Sequence, residues 1–432
     1  MCSVVALRLV QCEDQFRCRK ARDLRIVYTD GMTLRSAGTA LLALALALST
    51  LGAAPAEPER VELIVILPLT GALALAGQSS QRGLQVLEKR VNATGGIQGH
   101  PLSWHFLDDQ SNAQVSVQLA NETIARGAQV FIGGAGAAQC RATAPIVAKS
   151  GPVLYCMSPA ARPDPGSFVF STGVQPHDQI AAALRFFRDN HWTKIALLVT
   201  NDASGQEADQ NFTDLMKQPE NGTLQLVAYE HYLPTDLNVG AQVAHIKAAA
   251  PQALVVWASG NATATAFHGL HDAALDLPVV TTAALQQYSA MDQYAAILPS
   301  RLYFASSKWP AYQSMARGPV HDQLQAYFAS FKAADIVPDS GDQLAWDPGT
   351  IIVSALRKLG ANAKSAQIHQ YIESLKSFAG TSGLYDFTTG DQRGLGLRDV
   401  ILSIWDPGKH MWVAVSDAGG RALKPNEHVN GS

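Results

Sequence analysis

Short apolar runs alternate along this chain with stretches in which apolar residues recur every three or four positions. The run from Val61 to Leu67 is followed by a helical pattern from about Gln78 to Asn92, which places Leu84, Leu87 and Val91 on one face. The same step repeats as a strand at 102–107 with a helix at 112–126, a strand at 130–132 with a helix at 139–149, and a strand at 153–156. This strict alternation predicts a parallel, doubly wound α/β sheet.

A second series of the same kind begins near residue 178. It consists of a helix at 178–189, a strand at 194–200, a helix at 206–216, a strand at 224–228, a helix at 239–249, a strand at 253–258 and, after one more helix, a strand at 278–282. Two successive series of similar build predict two α/β lobes. The length of 432 residues agrees with this, because it is too great for one compact core.

The rest of the chain does not begin a separate domain. Its predicted elements are a strand at 301–305, helices at 320–334 and 365–375, and strands at 400–404 and 411–415. Asp347 and Pro348 predict the N-cap and first residue of a further helix that ends at Leu359. We expect these pieces to pack onto the two lobes, so that the chain crosses between lobes more than once and forms a hinge.

The segment from Gln129 to Ala161 is a predicted strand–helix–strand unit in which both strands end in loops of small residues. The first loop contains Gly133, Gly134 and Gly136, and the second runs from Ser158 to Ala161. Open α/β sheets bind ligands at the carboxyl ends of their strands. We therefore expect these two loops to form half of a ligand cleft.

The amino-terminal region has the pattern of a targeting segment. After Met32, a single basic residue, Arg35, precedes an apolar run at 37–51 and an Ala-Pro-Ala site that ends at Ala56. This pattern predicts a secretory signal peptide cleaved after Ala56, and therefore a periplasmic protein. Residues 1–31 are interpreted as an over-called start; the alternative is a genuine extension with an uncleaved anchor.

Removal of the signal peptide leaves two cysteines, Cys140 and Cys156. An even pair in an exported protein can form a disulfide. Closing a loop of about fifteen residues would stabilise the fold by roughly 3 kcal/mol in the chain-entropy model. The alternative is a pair of buried thiols.

Composition and motifs exclude several classes of function. The formal net charge is −3 and no arginine-rich arm is present, so we expect no nucleic-acid partner. Gly134-Ala135-Gly136 follows a strand, but Gln139 stands where a dinucleotide loop needs a third small residue. The sequence contains no HExxH, GxSxG or Walker motif, and its 12 histidines lack metal-ligand spacing. We expect no enzymatic activity, no metal and no cofactor.

Several short segments together resemble the type I periplasmic solute-binding proteins of the leucine/isoleucine/valine-binding group, which serve ABC importers. The resemblance covers nearly all of the predicted mature chain and is carried by Ile66-Leu67-Pro68-Leu69-Thr70-Gly71, Val91-Asn92-Ala93-Thr94-Gly95-Gly96-Ile97-Gln98-Gly99, Asp108-Asp109-Gln110-Ser111, Ile132-Gly133-Gly134 and Met157-Ser158-Pro159-Ala160. Each segment is weak alone, but their order and spacing make the signal strong.

The resemblance implies two Rossmann-like lobes with parallel sheets, joined by a three-strand hinge and closing over a ligand. Lobe I is expected at 57–174 plus 306–386, and lobe II at 175–305 plus 387–432. The strand crossings are expected near 172–175, 304–306 and 386–390. The implied partners are a small-molecule ligand and, in the inner membrane, an ABC permease with its ATPase; the binding protein itself is expected to be a monomer.

The resemblance also implies where the ligand is held in lobe I. Family members that bind amino acids hold the α-carboxylate with serine or threonine hydroxyls and backbone N–H groups. The corresponding loop here is Ala137-Ala138-Gln139, where the family often has two serines, so the hydroxyls are absent and the backbone donors of a helix N-terminus remain. The other expected ligand residues of this lobe are Leu69, Thr70, Ser158, Ala160 and Ala161.

Lobe II departs further from the family pattern. Ser204 stands where a tyrosine is frequent, and no acidic residue lies near Thr282, where the family holds the ligand ammonium. Asp202 is nearby, but an aspartate before a glycine at a strand end is more often a helix cap. An ammonium buried without a carboxylate would cost several kcal/mol. We therefore expect a small organic acid, or a neutral amide or alcohol, with an apolar or aromatic body.

Four further side chains are candidates for specificity: Asn261, Gln286, Trp309 and Trp346. The alternatives are core or hinge packing for the tryptophans and ordinary solvated positions for the two amides. Two other functions remain open, namely an exported sensor that reports to a separate membrane protein and a branched-chain amino acid binding protein. Neighbouring permease and ATPase genes would distinguish the transporter from the sensor.

Overall fold

The computed structural model describes residues 59–431. The predicted signal peptide and the predicted over-called start at 1–31 therefore lie outside the described residues. Across 59–431, no helix has both the length and the apolar character that a membrane crossing requires.

The described chain alternates between strands and helices. The strands are β1 (Val61–Leu67), β2 (Leu102–Asp108), β3 (Val130–Gly133), β4 (Val153–Cys156), β5 (Val169–Ser171), β6 (Lys194–Thr200), β7 (Gln225–Tyr232), β8 (Ala253–Trp257), β9 (Val279–Thr282), β10 (Leu302–Ser307), β11 (Lys376–Ala379), β12 (Leu384–Asp386), β13 (Val400–Asp406) and β14 (Met411–Ala414). The helices are α1 (Ala74–Ala93), α2 (Ala113–Ala125), α3 (Ala137–Val147), α4 (Pro176–Asp189), α5 (Ala203–Met216), α6 (Gly240–Ala248), α7 (Asn261–Asp272), α8 (Tyr288–Gln293), α9 (Pro319–Ala333), α10 (Ser340–Leu359) and α11 (Ser365–Glu373).

The first sheet has five strands in the order β2-β1-β3-β4-β5, and every pairing in it is parallel. β3 and β4 are buried along their whole length. This explains why they are continuous apolar runs, because a parallel strand covered on both faces has no solvent side. α1 packs against α10, which comes from the later part of the chain, and α11 packs against β4.

The second sheet has seven strands in the order β14-β13-β10-β9-β8-β6-β7. Its five strands from β6 to β10 pair in parallel, whereas β13 and β14 add an antiparallel edge. β11 and β12 form a separate antiparallel pair. The predicted α/β class with two parallel sheets is confirmed. β5 and the β11–β12 pair were not predicted from the sequence, because these strands are only three or four residues long.

α10 begins earlier than predicted. Its N-cap is Asp339, whose side chain accepts hydrogen bonds from the first turn, and Pro348 lies inside the helix. The prediction that Asp347 is an N-cap was wrong, because Asp347 is a buried residue in mid-helix whose carboxylate accepts from Thr381 N at 2.7 Å. Proline has no N–H to bond the carbonyl four residues before it. That carbonyl, on Leu344, instead accepts from the Thr172 hydroxyl at 3.0 Å.

The segments that connect the two sheets are tied to the first turns of α10. Thr172 follows β5 and bonds Leu344 as described above. Gln343 accepts from the Ser307 hydroxyl at 3.4 Å and donates to the Ser382 hydroxyl at 2.6 Å. Two connections between the sheets, at Thr172 and Ser307, and the turn between β11 and β12 therefore meet one helix end. The lobe boundaries given above remain a proposal, and this arrangement supports them.

Candidate functional site

Loops from both sheets meet at the side chain of Leu73, which follows β1. A Cβ atom at Gly136 would lie 2.8 Å from one Leu73 methyl group, and a Cβ atom at Gly260 would lie 3.2 Å from the other. Gly136 precedes α3 of the first sheet, and Gly260 precedes α7 of the second. The carboxyl-edge loops of the two sheets thus face each other, and we treat the space around them as the candidate ligand cleft.

Asp108, at the end of β2, organises the loop after β1. Its carboxylate accepts from Leu69 N at 2.9 Å, from Thr70 N at 3.2 Å and from the Thr70 hydroxyl at 2.7 Å. Although partial burial opposes the shift, hydrogen bonds from Gln110, Thr70 and Leu69 lower the pKa of Asp108 below its ordinary value. The two expected ligand residues of this loop are therefore held in place by one carboxylate.

The N-terminus of α3 lacks a side-chain cap. Its N-cap residue is Gly136, and no side chain accepts a hydrogen bond from the first turn, which contains Ala137, Ala138 and Gln139. Gly134 must be glycine, because its φ is +68° and an added Cβ would lie 2.9 Å from the Cα of Cys140. The tight turn brings the open helix end to the cleft edge, where its free N–H groups suit an anion.

Two buried polar side chains next to this helix end have no partner in the described chain. Gln139 and Ser158 are each 3% exposed. The side chain of Gln139 lies over Gly136, and neither it nor the Ser158 hydroxyl makes a hydrogen bond to another residue within 59–431. Neither residue is among the fully buried side-chain atoms that lack a partner, so their polar atoms reach the surface and are accessible to a ligand.

A buried arginine stands behind the second loop. Arg393 is 2% exposed and donates to Ala161 O at 2.6 Å, Thr172 O at 3.0 Å and Gly173 O at 3.1 Å. Burial lowers its pKa, yet an arginine side chain is effectively always protonated. Its three acceptors are all carbonyl groups, so a positive charge lies behind the Ser158–Ala161 loop. Ala160 and Ala161 are half-buried beside it.

The structure places the sulfur atoms of Cys140 and Cys156 against each other, with the Cα atoms 6.0 Å apart. This separation lies within the range of disulfides. A bond here would tie the first turn of α3 to the end of β4, next to both candidate loops. We keep the disulfide as a proposal.

Several polar groups in the loops of the second sheet have partners, whereas the buried Thr263 Oγ1, Gln286 Oε1 and Gln287 Oε1 atoms have none among the described residues. Asp202 caps α5 by accepting from Ser204 N at 3.0 Å and Gly205 N at 2.9 Å, as the sequence predicted. The Ser204 hydroxyl accepts from Trp257 Nε1 at 3.3 Å. The Thr282 hydroxyl accepts from Ala284 N at 3.2 Å. Asn261 is exposed in the first turn of α7.

Of the remaining specificity candidates, Gln286 ends the loop after β9 but is fully buried, and both tryptophans pack against other rings. Gln286 is fully buried, and its side-chain amide donates to the Ser403 hydroxyl of β13 at 3.0 Å. Trp309 packs against Trp412 at a ring separation of 5.7 Å, and Trp346 packs against Tyr327 at 5.0 Å. Both tryptophans therefore take part in ring packing, and their role in ligand specificity stays a prediction.

One arginine pairs with two buried acidic residues at the start of α10. Arg82 of α1 bonds Asp342 through two nitrogens, at 3.0 and 2.5 Å, and Asp339 through one, at 3.0 Å. Burial and the neighbouring Asp339 carboxylate raise the pKa of Asp342, although Arg82 opposes the shift. No group of three potential metal ligands occurs among residues 59–431.

Sequence reasoning missed Leu73 and Arg393. Leu73 lies in the turn before α1, and only the meeting of three loops gives it a place in the cleft. Arg393 lies far along the chain from Ala161, in a polar stretch that reads as a solvated loop. No local pattern identifies either residue.

A protein-family model described as a periplasmic binding protein matches residues 61–407. A curated relative, Leu/Ile/Val-binding protein homolog 3 of Brucella melitensis, is 24% identical over 374 residues, which is 84% of this chain and 95% of the relative.

Two solved structures share the fold. One is the branched-chain amino acid transporter substrate binding protein of Streptococcus pneumoniae in complex with isoleucine; its TM-score is 0.71 at 19% identity, over 85% of this chain and 100% of the other. The second is an ABC transporter solute binding protein of R. palustris in complex with benzoate; its TM-score is 0.71 at 18% identity, over 85% and 99% of the two chains.

Proposed function

Because the chain belongs to the periplasmic binding protein family, in the leucine/isoleucine/valine-binding group, we propose that it binds a small organic acid for an ABC importer. The observation that carries the choice of ligand is the uncapped N-terminus of α3 beside the unpartnered side chains of Gln139 and Ser158. The proposed site contains the ligand residues expected from the sequence on the first sheet: Leu69, Thr70, Ala137, Ala138, Gln139, Ser158, Ala160 and Ala161.

Three features favour a carboxylate at this position. The helix end supplies backbone N–H donors and the positive end of the helix dipole. The Ser158 hydroxyl and the Gln139 amide add two side-chain donors. The buried Arg393 guanidinium, which reaches Ala161 O at 2.6 Å, adds a positive charge behind the loop. The helix end, the two side-chain donors and the arginine charge all stabilise an anion.

The opposite side of the cleft offers no charge for an ammonium group. In its loops at 201–204, 259–261 and 282–286, the single acidic residue is Asp202, whose carboxylate caps α5. Asp339 and Asp342 share Arg82. Burial of an unpaired ammonium costs several kcal/mol. We therefore favour an acid without an α-amino group, whose apolar body contacts Leu73.

The experiment compares ligands that differ in one group. Leucine and 4-methylpentanoate share a carbon skeleton and differ in the ammonium, whereas benzoate and benzamide differ in the carboxylate. Thermal shifts of the mature protein are measured first, since a ligand at 100 times its Kd stabilises the folded state by about 2.7 kcal/mol. Calorimetry then gives Kd for any ligand that shifts the melting temperature.

We expect each acid to stabilise the protein more than its matched partner. A larger shift with leucine than with 4-methylpentanoate would replace this proposal by the branched-chain amino acid alternative. Equal shifts of the melting temperature with benzoate and benzamide would show that the carboxylate does not contribute to binding. Ligand should also lower the radius of gyration in small-angle scattering, because the lobes close over the cleft.

Export and delivery are tested separately. Amino-terminal sequencing of protein from the periplasmic fraction should begin at Glu57 if the signal peptide is cleaved after Ala56. Deletion of the neighbouring permease gene should abolish uptake of the bound acid while leaving binding by the purified protein unchanged. Unchanged uptake in that strain would favour the exported sensor.

A further inference from the structure

Two arginines of the first α/β unit reach across the cleft to one helix of the second. Arg162, which follows the Ser158–Ala161 loop directly, pairs with Glu207 of α5 through Nε and donates to Asn211 Oδ1 at 2.7 Å. Arg141 of α3 donates to Ala203 O, in the first turn of α5, at 3.3 Å. We call Arg162, Glu207 and Asn211 the α5 clasp.

We propose that the α5 clasp holds the two lobes in the closed arrangement and thereby sets the affinity of the cleft for its ligand. The inference rests on the proposed solute-binding function, because closure matters only if a ligand is enclosed. Within that function, Arg162 and Glu207 are positioning residues that act through the lobe arrangement and contact no ligand themselves.

The acceptor side of the clasp is built into α5. Glu207 and Asn211 are four residues apart, so their side chains lie on one face of the helix. Asn211 is 3% exposed, and its side-chain amide donates to Glu207 Oε1 at 3.3 Å. Both acceptors are thereby oriented toward Arg162. Removal of Arg162 would leave a largely buried carboxylate without its cation, which favours an arrangement that hydrates it.

The position of Arg162 couples the clasp to the ligand loop. Arg162 adjoins Ala161, whose carbonyl accepts from Arg393 and whose N–H donates to Ser158 O at 3.1 Å. A ligand that orders Ser158 therefore also orders the start of the clasp. The apparent Kd equals the intrinsic Kd divided by the fraction of molecules that are closed. A weaker clasp lowers this fraction, and the apparent Kd rises by the factor by which the fraction falls.

The arginine side of the clasp is open to solvent and salt, whereas the Glu207 side chain is 10% exposed. The Arg162 side chain is 54% exposed, and Arg162 and Glu207 border a groove of about 510 Å³ between α3 and the segment 160–167. Salt screens exposed charges over a Debye length of about 10 Å at 0.1 M and about 3 Å at 1 M. The closed population should therefore fall with ionic strength.

The test uses NaCl as its probe and needs no ligand. Spin labels are placed at Gln114→Cys on α2 and His268→Cys on α7, two exposed positions on different units, and pulsed electron resonance gives the distance distribution. The distribution is compared at about 20 mM and about 0.5 M NaCl. The variants are Arg162→Gln, Glu207→Gln and the charge-swapped pair Arg162→Glu with Glu207→Arg.

We expect a short-distance population at low salt that shrinks at high salt. Each single variant should lower the closed-to-open ratio about tenfold, and the swapped pair should restore most of it. Arg421→Gln is the matched control, because Arg421 pairs with Asp417 and Glu427 without joining the two units. A merely structural role of Arg162 would not be rescued by the swap.

Three outcomes would overturn the proposal: no short-distance population at either salt concentration, the same distribution in Arg162→Gln as in the wild type, or an equal loss in Arg421→Gln. None of these depends on ligand chemistry. Failure of the clasp is thus distinguishable from failure of the proposed function, which would show as no thermal shift with any acid.

Discussion

The N-termini of α3 and α5 each follow a strand of a parallel sheet, but only the N-terminus of α5 is capped by a side chain. Asp202 caps α5 and accepts two backbone N–H bonds. Gly136 precedes α3, and no side chain caps that end. Every helix start has N–H groups without an intrahelical acceptor. The α5 end satisfies them internally, whereas the α3 end keeps them for an external acceptor.

The serines near the two helix ends differ in the same sense. The Ser204 hydroxyl accepts a hydrogen bond from Trp257, whereas the Ser158 hydroxyl has no partner in the described chain. The comparison teaches that the α3 side is prepared for a polar ligand group and the α5 side for closure. Substitutions at the two helix ends test this difference.

The largest effect is expected from Ala138→Asp, which makes the end of α3 resemble that of α5. Ala138 is exposed in the first turn, so the new carboxylate fits without repacking. It should repel an anionic ligand and raise the Kd for the best-binding acid by about 100-fold, or about 2.7 kcal/mol. The same charge should raise the unfolding free energy by about 0.3–1 kcal/mol, because it lies at the positive end of the helix dipole. Calorimetry and urea unfolding measure the two effects, and unchanged acid binding would contradict the proposed site.

A smaller loss of acid binding is expected from substitution of Ser158, and little or none from substitution of Ser204. Ser158→Ala removes an unpartnered donor and should weaken acid binding about tenfold, since a hydrogen bond to a charged group contributes about 1.5 kcal/mol. Ser204→Ala is the matched control and should change acid binding little, because its hydroxyl already bonds Trp257. Equal losses in the two variants would erase the distinction between the two sides.

Removal of the cap on α5 should affect stability rather than binding. Asp202→Ala is expected to lower the unfolding free energy by about 1 kcal/mol, the usual contribution of an N-cap. Acid affinity should stay within about twofold of the wild type, since the Asp202 carboxylate is engaged by Ser204 N and Gly205 N. A loss of acid binding without loss of stability would assign Asp202 to the ligand instead.

The smallest effect concerns Asp108, which organises the loop after β1. Its folded-state pKa is lowered below the ordinary value of 3.8, so its stabilising contribution is present above that pH and is lost as pH falls through the folded pKa. Asp108→Asn should therefore be less stable than the wild type at pH 7, and the difference should shrink at acid pH. Urea unfolding at several pH values checks this, and a constant difference would contradict it.

Local pattern was enough to predict most elements of the two sheets. Val61–Leu67 and Val153–Cys156 were predicted with the observed bounds, because buried parallel strands are continuous apolar runs between turn signals. The same logic failed at Asp347, where an Asp-Pro pair has the local form of a helix start. In the folded protein the Asp347 carboxylate accepts a hydrogen bond from Thr381 N. The Leu344 carbonyl, which Pro348 cannot bond, accepts from the Thr172 hydroxyl.

The features of the candidate site also fall into two groups, those predicted from local sequence and those that depend on tertiary packing. Small-residue loops at strand ends, the missing hydroxyls at Ala137 and Ala138, and the cap at Asp202 are all short-range features that the sequence determines by itself. The tertiary structure alone decided that Arg393 reaches Ala161, that Leu73 lies between two helix ends, and that Arg162 meets Glu207. These contacts join residues 45 or more positions apart. No local pattern encodes such contacts, because they depend on how two separately built sheets are brought together.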